Sequence, residues 1–286
     1  MTVHDSQRPV SSIERRFSLA GRTAVVMGAS GAIGGAIALG LAGAGARLAL
    51  CFRRNASQAD RIARSARALG AEARTYAVDV LVAQEQRAHA DRVLDEFGTV
   101  DVLVNCAGGN VKAAMTDPSS GFFDIDLGAV EDTMALNFTG GAVVPCLAYG
   151  RHMIANDTGG SIINVTSMNA IRPLEGRPAY AAAKAAVGNF TQWLATHIAL
   201  EYTPRVRVNA IAPGFFPNER MRAALFEPDG TPNERGRKVL AHTPMRRFGE
   251  PDDLVGTAIW YASDASKFVT GTITPVDGGF SAYSGV

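Results

Sequence analysis

Residues 23–45 read TAVVMGASGAIGGAIALGLAGAG. A short apolar run, TAVVMG (23–28), passes through glycines into a longer alanine- and leucine-rich segment, SGAIGGAIALGLAGAG (30–45). The first suits a strand buried on both faces, and the second suits a helix. The same alternation continues outward. Strands are expected at ARLALCF (46–52), EARTYAVDV (72–80), VDVLVN (100–105), GSIINVTS (160–167), VRVNAIAPG (206–214) and GTITPVDGG (271–279). Helices are expected over 56–70, 83–97, 128–156, 178–202 and 251–262. A polar, glycine-rich loop is expected over 106–127, and residues 215–250, with Pro217, Pro228, Pro232 and Pro244, are expected to be irregular. Alternation over the whole length predicts an α/β fold: one parallel sheet of about seven strands, helices on both faces, and a single domain over 17–286. Residues 1–16 are polar and are expected to be a mobile tail.

The composition narrows the function class. Of the 286 residues, 47% are hydrophobic and 19% charged, with a formal net charge of +1, which argues against nucleic acid or an anionic membrane as partner. The three cysteines, Cys51, Cys106 and Cys146, are odd in number and lack metal-ligand spacing, so neither a disulfide framework nor a metal is expected. The N-terminal stretch has no apolar core of a signal peptide, and no apolar run reaches the ~18 residues of a membrane span. A reducing, cytoplasmic setting is expected.

The glycine-rich turn falls between a strand and a helix. That position lets backbone N–H groups of Gly28, Ser30, Gly31, Ala32, Ile33 and Gly34 approach a pyrophosphate at a helix N-terminus. At the end of the second strand, where an acid would bond the ribose of NAD, stand Phe52, Arg53 and Arg54. Absence of the acid and presence of two cations tilt the expectation toward NADP. A second stretch, GRPAYAAAKAAVG (176–188), places Tyr180 and Lys184 one turn apart on a helix otherwise rich in alanine. Phenols titrate near 10, so acting as a base near neutrality requires favouring the phenolate by about 4 kcal/mol. Lys184 is expected to push in that direction.

Taken together, these motifs resemble the short-chain dehydrogenase/reductase superfamily along residues 17–286. Gly28 and Gly34 match its Gly-x-x-x-Gly-x-Gly pattern, while Gly31 comes one residue early and Ala32 holds the middle place. The resemblance implies a Rossmann-like, doubly wound fold binding NAD(P). It adds Asp79 and Val80 at the adenine, Asn105, Ala107 and Gly108 in the NCAG motif, and Pro213 and Gly214 beside the nicotinamide, with Tyr180 and Lys184 also touching the cofactor. It implies a catalytic set of Asn137, Ser167, Tyr180 and Lys184. In this set Ser167 steadies the substrate oxygen and Asn137 holds a water leading from Lys184 to solvent. A homo-oligomer, a tetramer in this family, is implied as well, with the 128–156 and 178–202 helices and the last strand as candidate interfaces.

Several longer stretches resemble one subgroup of that superfamily, the D-mannonate oxidoreductases, also called fructuronate reductases: TSMNAIRPLEGRPAYAAAKAAVGNFTQWLA (166–195), AHTPMRRFG (241–249) and FVTGTITPVDGGFSAYSGV (268–286) among them. They imply interconversion of a sugar-acid alcohol and its ketone. Arg172 or Arg222 is then expected to clamp the carboxylate, and Asn110, Asn169 and His242 to bond hydroxyls. The loops 106–127 and 215–245 are candidate lids. Alternatives are another ketone, as in gluconate 5-dehydrogenase or a 3-oxoacyl reductase, and a cofactor-sensing protein without catalysis.

Overall fold

Strand β1 (Thr23–Met27) is buried at every residue and pairs in parallel with β2 (Arg47–Phe52) and β4 (Val102–Asn105), with Val25 opposite Ala49 on one side and Leu103 on the other. The structure, a computed structural model, describes residues 12–117 and 119–285. With β3 (Ala73–Ala77), β5 (Gly160–Val165), β6 (Val206–Pro213) and β7 (Ile273–Val276) the sheet has seven parallel strands in the order β3-β2-β1-β4-β5-β6-β7. The chain reverses its direction of travel between β1 and β4. This puts a crevice at the carboxyl ends of those strands, where ligands bind in doubly wound sheets.

Side chains alternate along each strand, so the sheet has two cores. Ala24 and Val26 face α2 (Ala32–Gly43), α3 (Ala56–Ala68) and α10 (Val255–Ala262), packing with Ile37, Leu41, Ala63 and Tyr261. Val25 and Met27 face α4 (Ala83–Phe97), α6 (Val144–Ala155) and α7 (Pro178–Glu201), packing with Val93, Tyr149, Met153 and Ile198. Of the expected tail, residues 1–11 lie outside the described residues. Ser12–Phe17 form a short helix, α1, that buries none of its side chains.

Two regions differ from the sequence reading. The expected helix over 128–156 is three consecutive pieces: α5 (Leu127–Met134), a π-helical stretch (Ala135–Val143) and α6. Pro145 explains the wide turn, because it has no N–H and its ring crowds the carbonyl four residues earlier. Gly140 and Gly141 then let this stretch approach its neighbours. A Cβ at the first would lie 2.6 Å from the Val80 carbonyl oxygen, and one at the second 2.9 Å from that of Ala107.

The supposedly irregular 215–250 region contains two helices, α8 (Glu219–Leu225) and α9 (Glu234–His242), capped by Asn218 and Asn233, whose side chains accept from Met221 N and Gly236 N. The prolines bracket these helices instead of breaking them. Pro217 precedes the first, Pro228 and Pro232 lie in the connection, and Pro244 follows the second.

Among the described residues no helix is long and apolar enough to cross a membrane. Helices α6 and α7, expected to carry an interface, expose Leu147, Trp193 and Leu200.

His89 on α4 is buried, with Nδ1 against the Tyr149 hydroxyl, its ring 4.5 Å from that of Tyr76, and Nε2 without a hydrogen-bond partner among the described residues. Burial holds its pKa down at about 4, against 6.5 ordinarily. An unfolded chain therefore takes up this proton near pH 6.5 and the folded chain only near pH 4. The group's contribution is complete above pH 6.5 and is lost as pH falls through that window, a total of about 3 kcal/mol. Urea unfolding at pH 7 and pH 4 should show His89→Gln losing about that much less stability on acidification than the native protein.

Candidate active site

The turn between β1 and α2 works only with glycine at two places. Gly28 has φ +79°, and a Cβ there would lie 3.0 Å from Ala107 N. A Cβ at Gly34 would lie 2.4 Å from the Gly28 carbonyl oxygen. Gly31 is the N-cap of α2 in extended conformation, with no side chain to cap the first N–H groups. Those groups, from Ala32 and Ile33 onward, suit an anion. The residue in the displaced glycine's place, Ala32, is simply the first helical residue, so the early Gly31 does not disturb the turn. The cradle thus fits the pyrophosphate of a dinucleotide.

Phe52 is half-buried at the end of β2, and Arg53 and Arg54 beyond it are exposed. Arg53 Nη1 stands 4.0 Å from Asp79 Oδ2, while Asp79 Oδ1 accepts from Leu81 N at 3.0 Å. Val80 is buried, and its carbonyl accepts from Gln86. The Asn105 side chain is turned into the sheet. It donates to Asn164 Oδ1 at 2.8 Å, and Asn164 donates to Thr191 at 2.9 Å, so this motif residue braces β4, β5 and α7 with its amide. Pro213 ends β6, and Gly214 N donates to the Val276 carbonyl at 3.0 Å, with no room for a side chain beside Asp277.

Ser167, Tyr180, Lys184 and Asn137 come together at the carboxyl end of β5. Ser167 Oγ accepts from Asn169 N at 3.1 Å, and its hydroxyl hydrogen-bonds the Tyr180 side chain. Lys184 Nζ is buried, donates to the Val165 carbonyl at 2.8 Å and lies 5.8 Å from the centre of the Tyr180 ring. Asn137, in the π-helical stretch, is fully buried. Its Nδ2 donates to the Gly109 carbonyl at 2.7 Å and the Thr133 carbonyl at 2.9 Å, while its Oδ1 accepts from Gly109 N at 3.0 Å. All these bonds go to protein backbone, so Asn137 clamps the Gly108–Gly109 loop. Gly108 is wedged between Asn137 and Lys184, where a Cβ would be 2.6 Å from Asn137 Oδ1 and 3.3 Å from Nζ.

The electrostatics correct one expectation. Burial raises the Tyr180 pKa above its ordinary value; the Ser167 hydrogen bond pulls the other way. Burial also lowers Lys184 to about 8. Without cofactor, then, the phenol is held protonated, ready to donate. Cys106, counted above only among the three cysteines, borders this cluster: burial pushes its thiol up to about 11, and the Lys184 charge partly opposes this.

Of the five candidate substrate residues, Asn169, Arg172 and His242 have partners within the protein. Asn169 is buried and accepts from Leu174 N at 2.8 Å. Arg172 Nε donates to the Ser281 carbonyl at 2.9 Å, tying down the C-terminal segment. Arg222 lies along the turn at Gly230, His242 Nδ1 faces the Lys238 carbonyl at 3.0 Å, and Asn110 is exposed. A cleft of about 660 Å³ opens beside the first turn of α7, and its lining includes Thr116, Gly176, Arg177, Asn233 and Arg235. Sequence reasoning passed over both arginines, although Arg177 stands three residues before Tyr180 on the same helix.

Residues 28–281 match the family model described as enoyl-(acyl carrier protein) reductase. The chain belongs to the short-chain dehydrogenase/reductase family. The uncharacterized oxidoreductase UxuB of Bacillus subtilis (strain 168) is 42% identical over 278 residues, covering 94% of this chain and 98% of its own. A solved Haemophilus influenzae protein, provisionally named a D-mannonate oxidoreductase and holding NAD, superposes with a TM-score of 0.87 at 37% identity, covering 96% of this chain and 100% of its own. A gluconate 5-dehydrogenase from Burkholderia cenocepacia, in complex with NADP and tartrate, gives 0.82 at 32% identity, covering 95% and 99%. The chain is thus an NAD(P)-dependent oxidoreductase acting on an alcohol group.

Tyr180→Phe removes the hydroxyl of the candidate proton donor while leaving the ring in place. We expect kcat to fall by about 10²–10⁴-fold with the Kd for the dinucleotide unchanged, read by single-turnover kinetics and fluorescence quenching.

Proposed function

We propose that this enzyme interconverts a secondary alcohol and a ketone on a sugar acid, the pair D-mannonate and D-fructuronate being the best supported. The observation that carries the reading is the Ser167–Tyr180–Lys184 cluster, together with a cleft at the first turn of α7, the helix that bears Tyr180 and Lys184, whose lining includes half-buried guanidinium groups. The full-length likeness to a protein named for D-mannonate supports the choice of substrate.

Bound NAD(P) supplies or accepts the hydride and, when oxidised, contributes a positive ring. In the reducing direction the Tyr180 hydroxyl gives its proton to the ketone oxygen, and Ser167 holds that oxygen while charge develops on it. The phenolate left behind is stabilised by the Ser167 bond and the neighbouring Lys184 amine. In the oxidising direction the same phenolate takes the carbinol proton. The raised pKa of Tyr180 in the cofactor-free protein favours donation, so the base role depends on positive charge arriving with the oxidised cofactor.

An acyl-carrier substrate fits less well. An acidic carrier needs a basic docking face, and a formal net charge of +1 does not favour one. NADP is favoured over NAD by Phe52 in the acid's place and by the exposed Arg53 and Arg54.

A spectrophotometric panel of D-mannonate, D-gluconate and neutral alditols with each nucleotide tests the reading: aldonates should be oxidised with the higher kcat/KM, and preference for the alditols would refute it. Arg53→Ala combined with Arg54→Ala should weaken NADPH binding by about tenfold or more and leave NADH binding within about twofold, from the loss of charge-assisted bonds to the 2′-phosphate.

A further inference from the structure

Several arginines have carboxylate partners close by. Arg22, Arg74, Arg92 and Arg247 each meet one at 2.5–2.8 Å. Arg177 and Arg235 do not. Arg177 is half-buried, and among the described residues its hydrogen bond is to the neighbouring Gly176 carbonyl at 3.3 Å. Arg235, also half-buried, stands in the first turn of α9 across the cleft. Neither forms an ion pair among the described residues. Burial and the Arg235 charge both hold Arg177 below its ordinary pKa. Two like charges taken partly out of water are costly unless an anion sits between them.

We propose that Arg177 and Arg235 form the anion-binding end of the substrate site, seating the carboxylate of an open-chain sugar acid whose reacting carbon lies against Tyr180. The inference rests on the sugar-acid reading above and names the residues that would enforce it.

Arg177 and Tyr180 leave the same end of one helix. Arg177 is the N-cap of α7 and Tyr180 follows three residues later, roughly 4.5 Å along the helix axis. An aldonate oxidised at C5, as the name of the gluconate 5-dehydrogenase specifies, has its carboxylate four C–C bonds away, about 5 Å in an extended chain. Guanidinium forks match carboxylates bidentately, and two of them approaching from separate elements fix the anion's position.

The carboxylates of the cleft do not occupy this seat. Glu234 pairs with Lys238 at 2.8 Å, and Asp117 accepts from Ser119 N and Oγ at 2.8 and 2.6 Å. Glu175 and Glu227 are exposed and form no ion pair among the described residues, so water and salt screen them. The loop carrying Thr116 is joined to the arginine's own turn by Thr116 N donating to the Gly176 carbonyl at 3.3 Å, which frames the cleft on the side opposite α9.

The test uses Arg177→Met, Arg235→Met and the double variant, each saturated with NADP, in steady-state oxidation of D-mannonate and D-gluconate. Each single change should raise KM for aldonates by about 10–100-fold, with kcat changed by less than about threefold, as loss of uniform binding predicts. Arg177→Lys should recover only part of the loss, because ammonium lacks the fork. Dinucleotide Kd and Tm report on folding. If Arg177→Met is unstable, Arg235→Met decides alone. Should the native enzyme oxidise aldonates while the double variant, or Arg235→Met when it decides alone, keeps the native KM, the seat is refuted and the sugar-acid reading survives. Should the native enzyme oxidise only neutral alditols, that reading falls and takes the seat with it.

Discussion

A single buried amine holds the candidate site together. Lys184 has almost no contact with water, and its Nζ is bound to the carbonyl of Val165, the last residue of β5. The Lys184 carbonyl in turn accepts from Thr166 Oγ1 at 2.6 Å, so α7 is fastened to the end of β5 at two points. Removing an ammonium from water is costly, and its lowered pKa is the measure of that cost. The cost is offset by small residues that let α7 lie close to the sheet. Ala183 is fully buried, and a Cβ at Gly188 would lie 3.1 Å from Ile273 Cδ1. Tyr180 and Ser167 depend on this seating, because one rides on the helix and the other leaves the strand that the amine joins.

Two asparagines extend the same logic. Asn105 and Asn137 belong to motifs that resemblance assigns to cofactor and catalysis, yet the amide of each is spent on the protein itself. Asn105 joins neighbouring strands, and Asn137 replaces hydrogen bonds that a π-helical turn and a glycine loop cannot make alone. Buried amides with several partners specify one arrangement of the chain around them. Their contribution to chemistry passes through the positions of Gly108 and Lys184.

What the sequence made legible was local. The strand–glycine–helix unit at 23–45, the sheet of seven strands and the helix bearing Tyr180 all follow from patterns within a few residues. The 215–250 region was misread because four prolines signal interruption, while the capping asparagines at 218 and 233 carry a quieter message. The direction of the Tyr180 shift was not legible either. Spacing shows that a lysine is near, but burial, the larger effect, is a property of the assembled fold. For the same reason Arg172 looked available until Ser281, distant in sequence, supplied its partner, and Arg177 and Arg235 meet only when the chain returns over the sheet.

The α8–α9 hairpin closes on itself. Phe226 bridges to Pro232, Asn233 N donates to the Leu225 carbonyl at 3.0 Å, and a Cβ at Gly236 would collide with that same carbonyl at 2.2 Å. A segment that satisfies its own backbone makes few demands on its host. Relatives could therefore exchange it as a cassette, altering which molecules are admitted while strand register and proton-transfer groups stay as they are, and laboratory recombination across residues 217 and 244 would explore the same freedom.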